Sequence, residues 1–320
     1  MKKTSALLSL LSLLVVTTTF AGSLYPVVVE SEWGYVDKSG KLVVKPQFER
    51  AEPFYGGLAA IRLGKRWGYV DATGKVVINP QFDEAKPFSG GLAAVKLGGR
   101  YGYIDLDGKF VINPQFDGAG QFFEGRAAVK VKRAYGYIDK TGNLVISPQF
   151  ESAGDFSDGL AAVKLSGRFG FIDVGGKTVI NPQFDGAEHF SGGLAAIKLS
   201  KRWGFVDKTG KIVINPQFEA VGAFSKGLAP VDAGERWGYA DLTGKLIINP
   251  QFDSAKSFGA DLAVVELSDR YGYINKDGKY VINPQFDEAE PFLDGLARVK
   301  VSRKIGYIDA NGRYVWNPEN

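Results

Sequence analysis

The side chains with the clearest capacity for chemistry are carboxylates that recur beside a Pro-Gln-Phe sequence. Two Asp or Glu side chains held about 5 to 10 Å apart can hydrolyse a glycosidic bond. The set consists of Asp83, Asp117, Asp185, Asp253 and Asp287, with Glu49, Glu151 and Glu219 in the same place. A catalytic pair normally occurs once, so a carboxylate that recurs this regularly is more simply interpreted as a turn or cap residue.

The other candidates for chemistry are weaker. Asp105-Leu106-Asp107-Gly108 resembles a calcium loop, but Ca²⁺ takes six to eight oxygen ligands and the turn is too short to supply them. His189 is the only histidine, and it falls at a variable position in a predicted loop. The chain has no Cys, which excludes disulfides and thiolate metal sites. We therefore predict no catalytic residue, no metal and no cofactor.

An aromatic residue followed by Gly recurs every 34 residues without an insertion or deletion. The copies are Trp33-Gly34, Trp67-Gly68, Tyr101-Gly102, Tyr135-Gly136, Phe169-Gly170, Trp203-Gly204, Trp237-Gly238 and Tyr271-Gly272, and Ile305-Gly306 keeps only the Gly. Fixed self-similarity at this period indicates a repeat architecture, in which each unit buries its apolar face against its neighbours.

Each unit has the pattern of a three-stranded β-meander. In the sample unit, residues 59–63 and 67–71 alternate with period two, and residues 76–78 are β-branched. Asp71-Ala72-Thr73-Gly74 has the signature of a turn, and Pro80 is expected to end the third strand. A helical tetratricopeptide repeat has the same length, but these units lack an apolar stripe of period 3.6. The predicted fold class is all-β.

Nine such meanders fit between Leu24 and Asn320, and no unit is divided between the two ends of the chain. Closed propellers often build their last blade from both termini. The undivided units therefore favour an open, superhelical, solenoid-like array, and a closed β-propeller-like ring is the alternative. A Phe in each link is expected to act as a plug between units, at Phe54, Phe88, Phe122, Phe156, Phe190, Phe224, Phe258 and Phe292.

These units resemble the bacterial WG-repeat family, also described through KWG repeats. The resemblance rests on the aromatic-Gly-aromatic-aliphatic-Asp core with a following Gly-Lys, as in residues 203–207 and 210–211, and on the Asn-Pro-Gln-Phe and Gly-Leu-Ala sequences. It covers nearly the whole chain after the leader. The resemblance implies a β-rich repeat array that serves as a binding module, and it supplies no catalytic residues.

The recurrent aromatic position has two interpretations. A row of exposed Trp rings could stack on sugars. Tyr101, Phe169 and Ile305 occupy the same position as Trp67 and Trp203, however, and a core position tolerates such exchanges. We therefore favour core packing for the aromatic-Gly motif over a glycan platform. If Trp67 and Trp203 are buried, their indoles cannot bind a sugar.

A second periodic position carries charge. Arg62, Lys96, Lys130, Lys164, Lys198 and Lys300 share it, whereas Asp232 and Glu266 occupy it in two consecutive units. In a stacked array these side chains form a basic stripe that can attract an anionic partner. The simpler interpretation is a solvated face with sequence drift. The functional interpretation is a partner-binding face whose sign changes at Asp232 and Glu266.

The first 21 residues have the pattern of a secretory signal peptide. Lys2 and Lys3 precede an apolar run from Ala6 to Val16, and Thr19 and Ala21 are the small residues before the expected cleavage site. The run is too short to span a membrane. We therefore predict a signal peptide at 1–21 and one repeat domain at 22–320, with no transmembrane segment in the mature chain and a periplasmic or extracellular location.

The charge balance disfavours nucleic acid as a partner. Removal of Lys2 and Lys3 lowers the 39 basic residues to 37 against 35 acidic residues, without the clustered basic face that nucleic acid requires. The function we expect is an exported, non-enzymatic repeat scaffold that mediates protein–protein interaction. The alternative is recognition of envelope polysaccharide through the aromatic residues.

Overall fold

The computed structural model describes residues 24–317, which form nine antiparallel β-sheets in chain order. We call these sheets blades 1 to 9. Blade 1 consists of β1 (Tyr25–Val29), β2 (Glu32–Val36) and β3 (Leu42–Phe48), and blade 2 of β4 (Arg50–Tyr55), β5 (Leu58–Leu63), β6 (Arg66–Asp71) and β7 (Val76–Phe82). Blade 3 consists of β8 (Glu84–Ala85), β9 (Ala93–Leu97), β10 (Arg100–Ile104) and β11 (Phe110–Phe116). The predicted signal peptide lies outside the described residues.

The remaining six blades repeat the four-stranded order. They are β12 (Gly118–Ala119), β13 (Ala127–Val131), β14 (Ala134–Ile138) and β15 (Leu144–Phe150); β16 (Ser152–Ala153), β17 (Leu160–Leu165), β18 (Arg168–Asp173) and β19 (Thr178–Phe184); and β20 (Gly186–Ser191), β21 (Leu194–Leu199), β22 (Arg202–Asp207) and β23 (Ile212–Phe218). They continue with β24 (Ala220–Val221), β25 (Leu228–Asp232), β26 (Trp237–Asp241) and β27 (Leu246–Phe252); β28 (Ser254–Ala255), β29 (Ala263–Leu267), β30 (Arg270–Ile274) and β31 (Tyr280–Phe286); and β32 (Glu288–Ala289), β33 (Ala297–Val301), β34 (Lys304–Ile308) and β35 (Tyr314–Trp316).

The predicted turn joins the third and fourth strands of a blade. In blade 2 the Asp71 carboxylate accepts hydrogen bonds from the backbone N–H groups of Thr73 (2.9 Å) and Lys75 (3.1 Å). Gly74 adopts a φ of +84°, which a residue with a Cβ rarely adopts. The Asp side chain and the Gly backbone together fix the hairpin, as the sequence indicated.

In blades 1 to 8 the last strand is longer than expected and does not end at Pro. In blade 2, Trp67 pairs with Phe82 while Tyr69 pairs with Ile78, so β7 bulges outward between these two pairs. The bulge contains Pro80, whose missing N–H is tolerated where the ladder is interrupted. A Cβ on Gly68 would lie 2.4 Å from the Ile78 carbonyl oxygen, so the Gly of the aromatic-Gly motif makes room for the bulge.

The link residues supply a short first strand to blades 2 to 9, which the three-stranded prediction missed. The plug Phe of each link packs between blades, as expected. The ring centroid of Phe156, for example, lies 4.9 Å from that of Tyr137 in the preceding blade. From Phe88 to Phe292 these rings are buried. The apolar core is therefore divided into clusters, each shared by two adjacent blades.

The predicted open superhelical array is wrong, and the closed ring is the arrangement that the chain adopts. The Tyr25 ring of blade 1 lies 5.3 Å from the Tyr307 ring of blade 9, measured between centroids. The Tyr307 hydroxyl donates to the Pro26 carbonyl oxygen at 2.9 Å, and Val27, Val36 and Leu296 complete a buried cluster. An undivided blade did not imply an open array, because face-to-face packing closes the ring without a shared strand.

Candidate functional site

The two periodic positions identified in the sequence face each other across adjacent strands. In blade 6, Lys198 of β21 pairs with Trp203 of β22. We call the set of these pairs the rim. Its members are Arg62 and Trp67, Lys96 and Tyr101, Lys130 and Tyr135, Lys164 and Phe169, Lys198 and Trp203, Asp232 and Trp237, Glu266 and Tyr271, and Lys300 and Ile305. In blade 1 the pair is Val28 and Trp33.

The rim aromatics are half-buried. Each ring packs at the edge of its blade cluster, as Trp203 does against the cluster that contains Phe218, and keeps part of its surface in solvent. The Gly residues that follow them are buried. The aromatic position therefore contributes to packing without being sealed in the core, so burial alone does not exclude contact with a ligand.

Four rim lysines lie over the aromatic ring of their own pair. The ammonium nitrogen is 5.3 Å from the ring centroid of Tyr101 for Lys96 and 5.3 Å from that of Tyr135 for Lys130. The corresponding distances are 5.6 Å for Lys164 over Phe169 and 5.5 Å for Lys198 over Trp203. Such contacts contribute about 0.5–1 kcal/mol at exposed sites. They hold each charge in place and cover the ring face that a sugar would use.

The short first strand decides whether a rim charge is neutralised. Glu84 lies opposite Lys96, and Glu288 lies opposite Lys300. The resulting ion pairs measure 2.8 Å for Lys96 and 2.6 Å for Lys300. Arg62 is paired differently, with Glu49 at 3.6 Å.

In blades 4 to 6 the opposite residue cannot neutralise the charge. Gly118 faces Lys130, Ser152 faces Lys164, and Gly186 faces Lys198. We call these three lysines the basic arc. Over residues 24–317, no carboxylate lies within 4.0 Å of their ammonium groups. Three consecutive blades therefore present unneutralised positive charge, and the sequence signal for this arc was the residue twelve positions before each lysine.

The sign of the rim reverses in the two blades that follow the basic arc. Asp232 lies opposite Ala220, and Glu266 lies opposite Ser254, whose hydroxyl donates to the Glu266 carboxylate at 2.6 Å. The residues opposite these carboxylates on the first strand are small and uncharged, so they supply no basic partner. The rim carries a positive sector followed by a negative sector.

Blade 3 contains a hydrogen-bonded group of three rim side chains. The Glu84 carboxylate accepts hydrogen bonds from the Lys96 ammonium and the Tyr101 hydroxyl. These two bonds hold the pKa of Glu84 below its usual range. Burial, followed by the hydrogen bond to Glu84, raises the pKa of Tyr101 to about 12. The phenol therefore stays protonated at neutral pH, and the group neutralises the charge of Lys96.

The recurrent carboxylates connect neighbouring blades. Glu219 accepts a hydrogen bond from Arg202 at 3.0 Å. Asp185 bonds Arg168 of blade 5 and also accepts the backbone N–H of Ser200 in blade 6 at 2.9 Å. Because each carboxylate is engaged by an Arg or a turn amide, its geometry is that of a structural staple, as the sequence pattern favoured.

The remaining candidates lie apart from one another. His189 is an exposed residue of β20. Asp105 forms a turn in which its carboxylate accepts the N–H groups of Asp107 and Lys109 at 3.0 and 2.9 Å. Within the part of the chain that the structure describes, no three His, Asp or Glu side chains cluster as metal ligands. In the same residues, no helix is long and apolar enough to cross a membrane.

Nine four-stranded or three-stranded sheets closed into a ring define a nine-bladed β-propeller. The model of the WG containing repeat matches residues 33–67, 67–101, 101–132, 135–168, 169–202, 203–235, 237–271 and 271–304. The chain therefore belongs to the WG-containing repeat family. No curated protein matches it.

Solved structures resemble the chain in fold at low sequence identity. The crystal structure of the eukaryotic initiation factor has a TM-score of 0.65 and 13% identity, over 92% of this chain and 95% of its own. The dihydro-heme d1 dehydrogenase NirN, in complex with DHE, has a TM-score of 0.51 and 14% identity, over 92% of this chain and 72% of its own. At such identities the similarity is one of fold alone.

Proposed function

We propose that this protein is an exported, non-enzymatic scaffold whose rim binds an acidic surface of a protein partner at blades 4 to 6. The observation that carries the proposal is the basic arc of Lys130, Lys164 and Lys198, three unneutralised charges on consecutive blades. A positive sector beside a negative one favours one orientation of a partner with complementary charge. Rigid blades hold these charges at fixed spacing, which suits multivalent contact.

The test compares two triple variants that remove the same charge from the same rim position. One replaces the basic arc, Lys130→Gln, Lys164→Gln and Lys198→Gln. The matched control replaces the three neutralised cations, Arg62→Gln, Lys96→Gln and Lys300→Gln, which lie beside Glu49, Glu84 and Glu288. Each protein, spanning residues 22–320, is immobilised and incubated with envelope extract of its own source, then eluted with salt and afterwards with sugars.

We expect wild type and the control to release the same protein in salt, and the basic-arc variant to lose it. Equal loss in both triple variants would show that only net charge matters and would contradict a local binding sector. Once the partner is known, Asp232→Lys with Glu266→Lys should weaken binding, because it removes the negative sector. Unchanged affinity in that variant would eliminate the sign change as a determinant.

Polysaccharide recognition is the second candidate function. It is favoured by Trp237, a half-buried indole paired with the Asp232 carboxylate rather than with a lysine over its ring face. An accessible indole face beside a hydrogen-bond acceptor can bind a sugar. This function would be supported over protein binding if sugar alone releases the bound ligand. Trp237→Ala should then abolish binding of that ligand, and the basic-arc variant should retain it.

A further inference from the structure

The blades carry a second ring of exposed turns at the end opposite the rim. In blade 5, Phe169 of the rim lies near the start of β18, and the turn of residues 173–177 follows the end of that strand. We call the nine equivalent turns, each of which precedes the last strand of a blade, the base turns. They span residues 37–41, 71–75, 105–109, 139–143, 173–177, 207–211, 241–245, 275–279 and 309–313. Because the blades close into a ring, these turns lie on one face of it, which we call the base.

The second residue of a base turn, which we call its tip, alternates between an aliphatic residue and lysine over six consecutive blades. Blades 3 to 8 carry, in this order, Leu106, Lys140, Val174, Lys208, Leu242 and Lys276. Leu106, Val174 and Leu242 are 46%, 38% and 41% exposed, and the three lysines are exposed as well. Exposed aliphatic side chains that recur at equivalent positions form a pattern on one face, unlike the isolated surface residues that need no explanation.

Cations predominate over acids in the base turns after the first residue. Lysine is the tip of blades 1, 4, 6 and 8, and a cation follows the Gly of eight turns, at Lys41, Lys75, Lys109, Lys177, Lys211, Lys245, Lys279 and Arg313. These twelve cations are accompanied by two acids, Asp107 and Asp277. Within residues 24–317, the tip lysines form no ion pair with a carboxylate. The tips therefore present positive charge that no described residue neutralises by direct contact.

The carboxylates at the first position of the base turns are engaged within the turns. Asp173 accepts the backbone N–H groups of Gly175 at 3.0 Å and Lys177 at 2.9 Å. These bonds hold the carboxylate behind the tip, whereas the side chains of Val174 and Lys177 are exposed. A surface that approaches the base therefore meets the tips and the lysines before it meets the carboxylates of the turns.

Further aliphatic side chains border the base turns. The second residue of the last strand is exposed in blades 1 to 8, and these residues are Val43, Val77, Val111, Val145, Val179, Val213, Ile247 and Val281. In blade 2, Val77 falls in a bulge, between the pair of Val70 with Val76 and the pair of Tyr69 with Ile78. The base thus combines cations with exposed aliphatic side chains, the composition of protein surfaces that bind at a membrane interface.

We propose that the base docks on an anionic lipid membrane. The ammonium groups of the base turns contact the phosphates of the headgroups, and the aliphatic tips enter the boundary between headgroups and acyl chains. A soluble polyanion would satisfy the cations but would leave Leu106, Val174 and Leu242 in water, so the alternation of tips favours a lipid surface. The docked ring turns its rim away from the membrane. This surface is separate from the basic arc and does not depend on the proposed function.

Co-sedimentation with vesicles tests the proposal on residues 22–320. One set of vesicles is phosphatidylcholine alone, and the other contains equal parts of phosphatidylcholine and phosphatidylglycerol. The lysine-tip variant carries Lys140→Ala, Lys208→Ala and Lys276→Ala, and the aliphatic-tip variant carries Leu106→Ala, Val174→Ala and Leu242→Ala. Alanine suits the position, because Ala72 and Ala310 are the tips of blades 2 and 9. The basic-arc variant is the matched control, because it removes three positive charges from the opposite face.

We expect wild type and the basic-arc variant to bind the anionic vesicles and not the neutral ones. The lysine-tip variant should bind at least about tenfold more weakly, and the aliphatic-tip variant should also bind more weakly. Equal loss in the lysine-tip and basic-arc variants would overturn the proposal, because net charge alone would then explain binding. Full binding by the aliphatic-tip variant, with equal affinity for soluble inorganic polyphosphate, would replace the lipid surface with an acidic polymer. Absence of binding by wild type would also reject the proposal.

A fluorescent label provides a second measurement that reports the orientation of the ring. The chain has no Cys, so a single engineered Cys carries the only label. Val174→Cys places an environment-sensitive dye at the base of blade 5, and Ser166→Cys places it in the rim turn before β18 of the same blade. Anionic vesicles should increase the emission of the dye at the base and leave that at the rim unchanged. An equal response at both sites, or a response at the rim alone, would contradict docking through the base.

Discussion

At the residue scale, the aromatic-Gly motif requires Gly because a Cβ at this position would collide with the neighbouring strand. In blade 5, a Cβ on Gly170 would lie 2.5 Å from the Ile180 carbonyl oxygen and 2.7 Å from the Pro182 nitrogen. Both atoms belong to the bulged backbone of β19, which cannot move without disturbing its pairing. The motif pairs a ring that packs at the blade edge with a residue that admits the neighbouring strand.

We therefore expect Gly170→Ala to lower the free energy of unfolding by about 1–3 kcal/mol, the usual cost of overpacking. Gly175→Ala in the same blade is the control, because its Cβ would meet nothing closer than the Asp173 carboxylate at 3.4 Å. That change should stay within about 0.5 kcal/mol of wild type. Urea denaturation of the chain from residue 22 measures both, and equal stability of the two variants would refute the steric explanation.

At the residue scale, the sequence predicted the repeat but not the solvent exposure of the recurrent aromatic side chains. Period and residue type placed Trp67 and Trp203 on a strand beside buried neighbours, and the family membership followed. Exchange among Trp, Tyr, Phe and Ile indicated a core position, yet these side chains are half-buried. An edge position tolerates the same exchanges as a core position, so residue type alone could not separate the two.

At the scale of the element, the Asp turns link hairpin geometry to pH. The Asp207 carboxylate accepts the Thr209 hydroxyl and the N–H groups of Thr209 and Lys211. The Thr209 hydroxyl, followed by these amides, holds the pKa of Asp207 below its ordinary value. A lowered pKa means that the carboxylate stabilises the fold above the pKa of the unfolded chain, about 3.9, and that this stability is lost as pH falls through the folded pKa.

Asp207→Asn should therefore lower Tm by a few degrees at pH 7, and the difference from wild type should vanish in acid. The chain offers the reverse experiment, because Asn275 forms the same turn with its amide oxygen, accepting the N–H groups of Asp277 and Lys279 at 3.0 Å. Asn275→Asp should raise Tm at pH 7 and have no effect in acid. Calorimetry of both variants and wild type, from pH 7 into acid, measures these differences in Tm. Differences in Tm that do not change with pH would exclude the ionised carboxylate as their cause.

The strand that sequence reasoning missed is the short first strand of each blade. It pairs over only two residues in most blades, such as Glu84 with Lys96 and Ala85 with Val95, and two residues give no alternating pattern to detect. The basic arc was missed for the same reason. Its lysines were identified, but the residues that neutralise or expose them lie on the undetected strand.

At the scale of the whole molecule, closure was the property that the sequence could not decide. A local repeat fixes how each blade meets the next, but a small change in the angle between neighbours separates an open array from a ring. The signal for closure lay in two exceptions, Tyr25 and Arg298, which replace Ala at the junction of blades 9 and 1. They became interpretable only once the structure placed Tyr25 against Tyr307, the residue that pairs with Arg298 in blade 9.

Removal of one complete repeat separates the ring from an open stack in solution. Deletion of residues 136–169 joins Tyr135 to Gly170 and preserves the register of every remaining repeat. An open array would lose one unit and one interface. In the ring, the eight remaining blades must each turn through a larger angle to keep Tyr25 against Tyr307. We therefore expect a lower Tm and faster amide exchange at Val27 and Val36.

The control retains all nine interfaces while it moves the chain ends. A circular permutant opens the chain between Ser166 and Gly167, and joins Asn317 to Leu24 through a copy of the link at 284–295. Because the ring is already closed by packing, this covalent joint should leave the small-angle scattering profile unchanged and Tm at least as high. A deletion variant as protected at Val27 as the parent would contradict the closed ring, because only an open stack leaves blade 1 unaffected by the loss of a distant repeat.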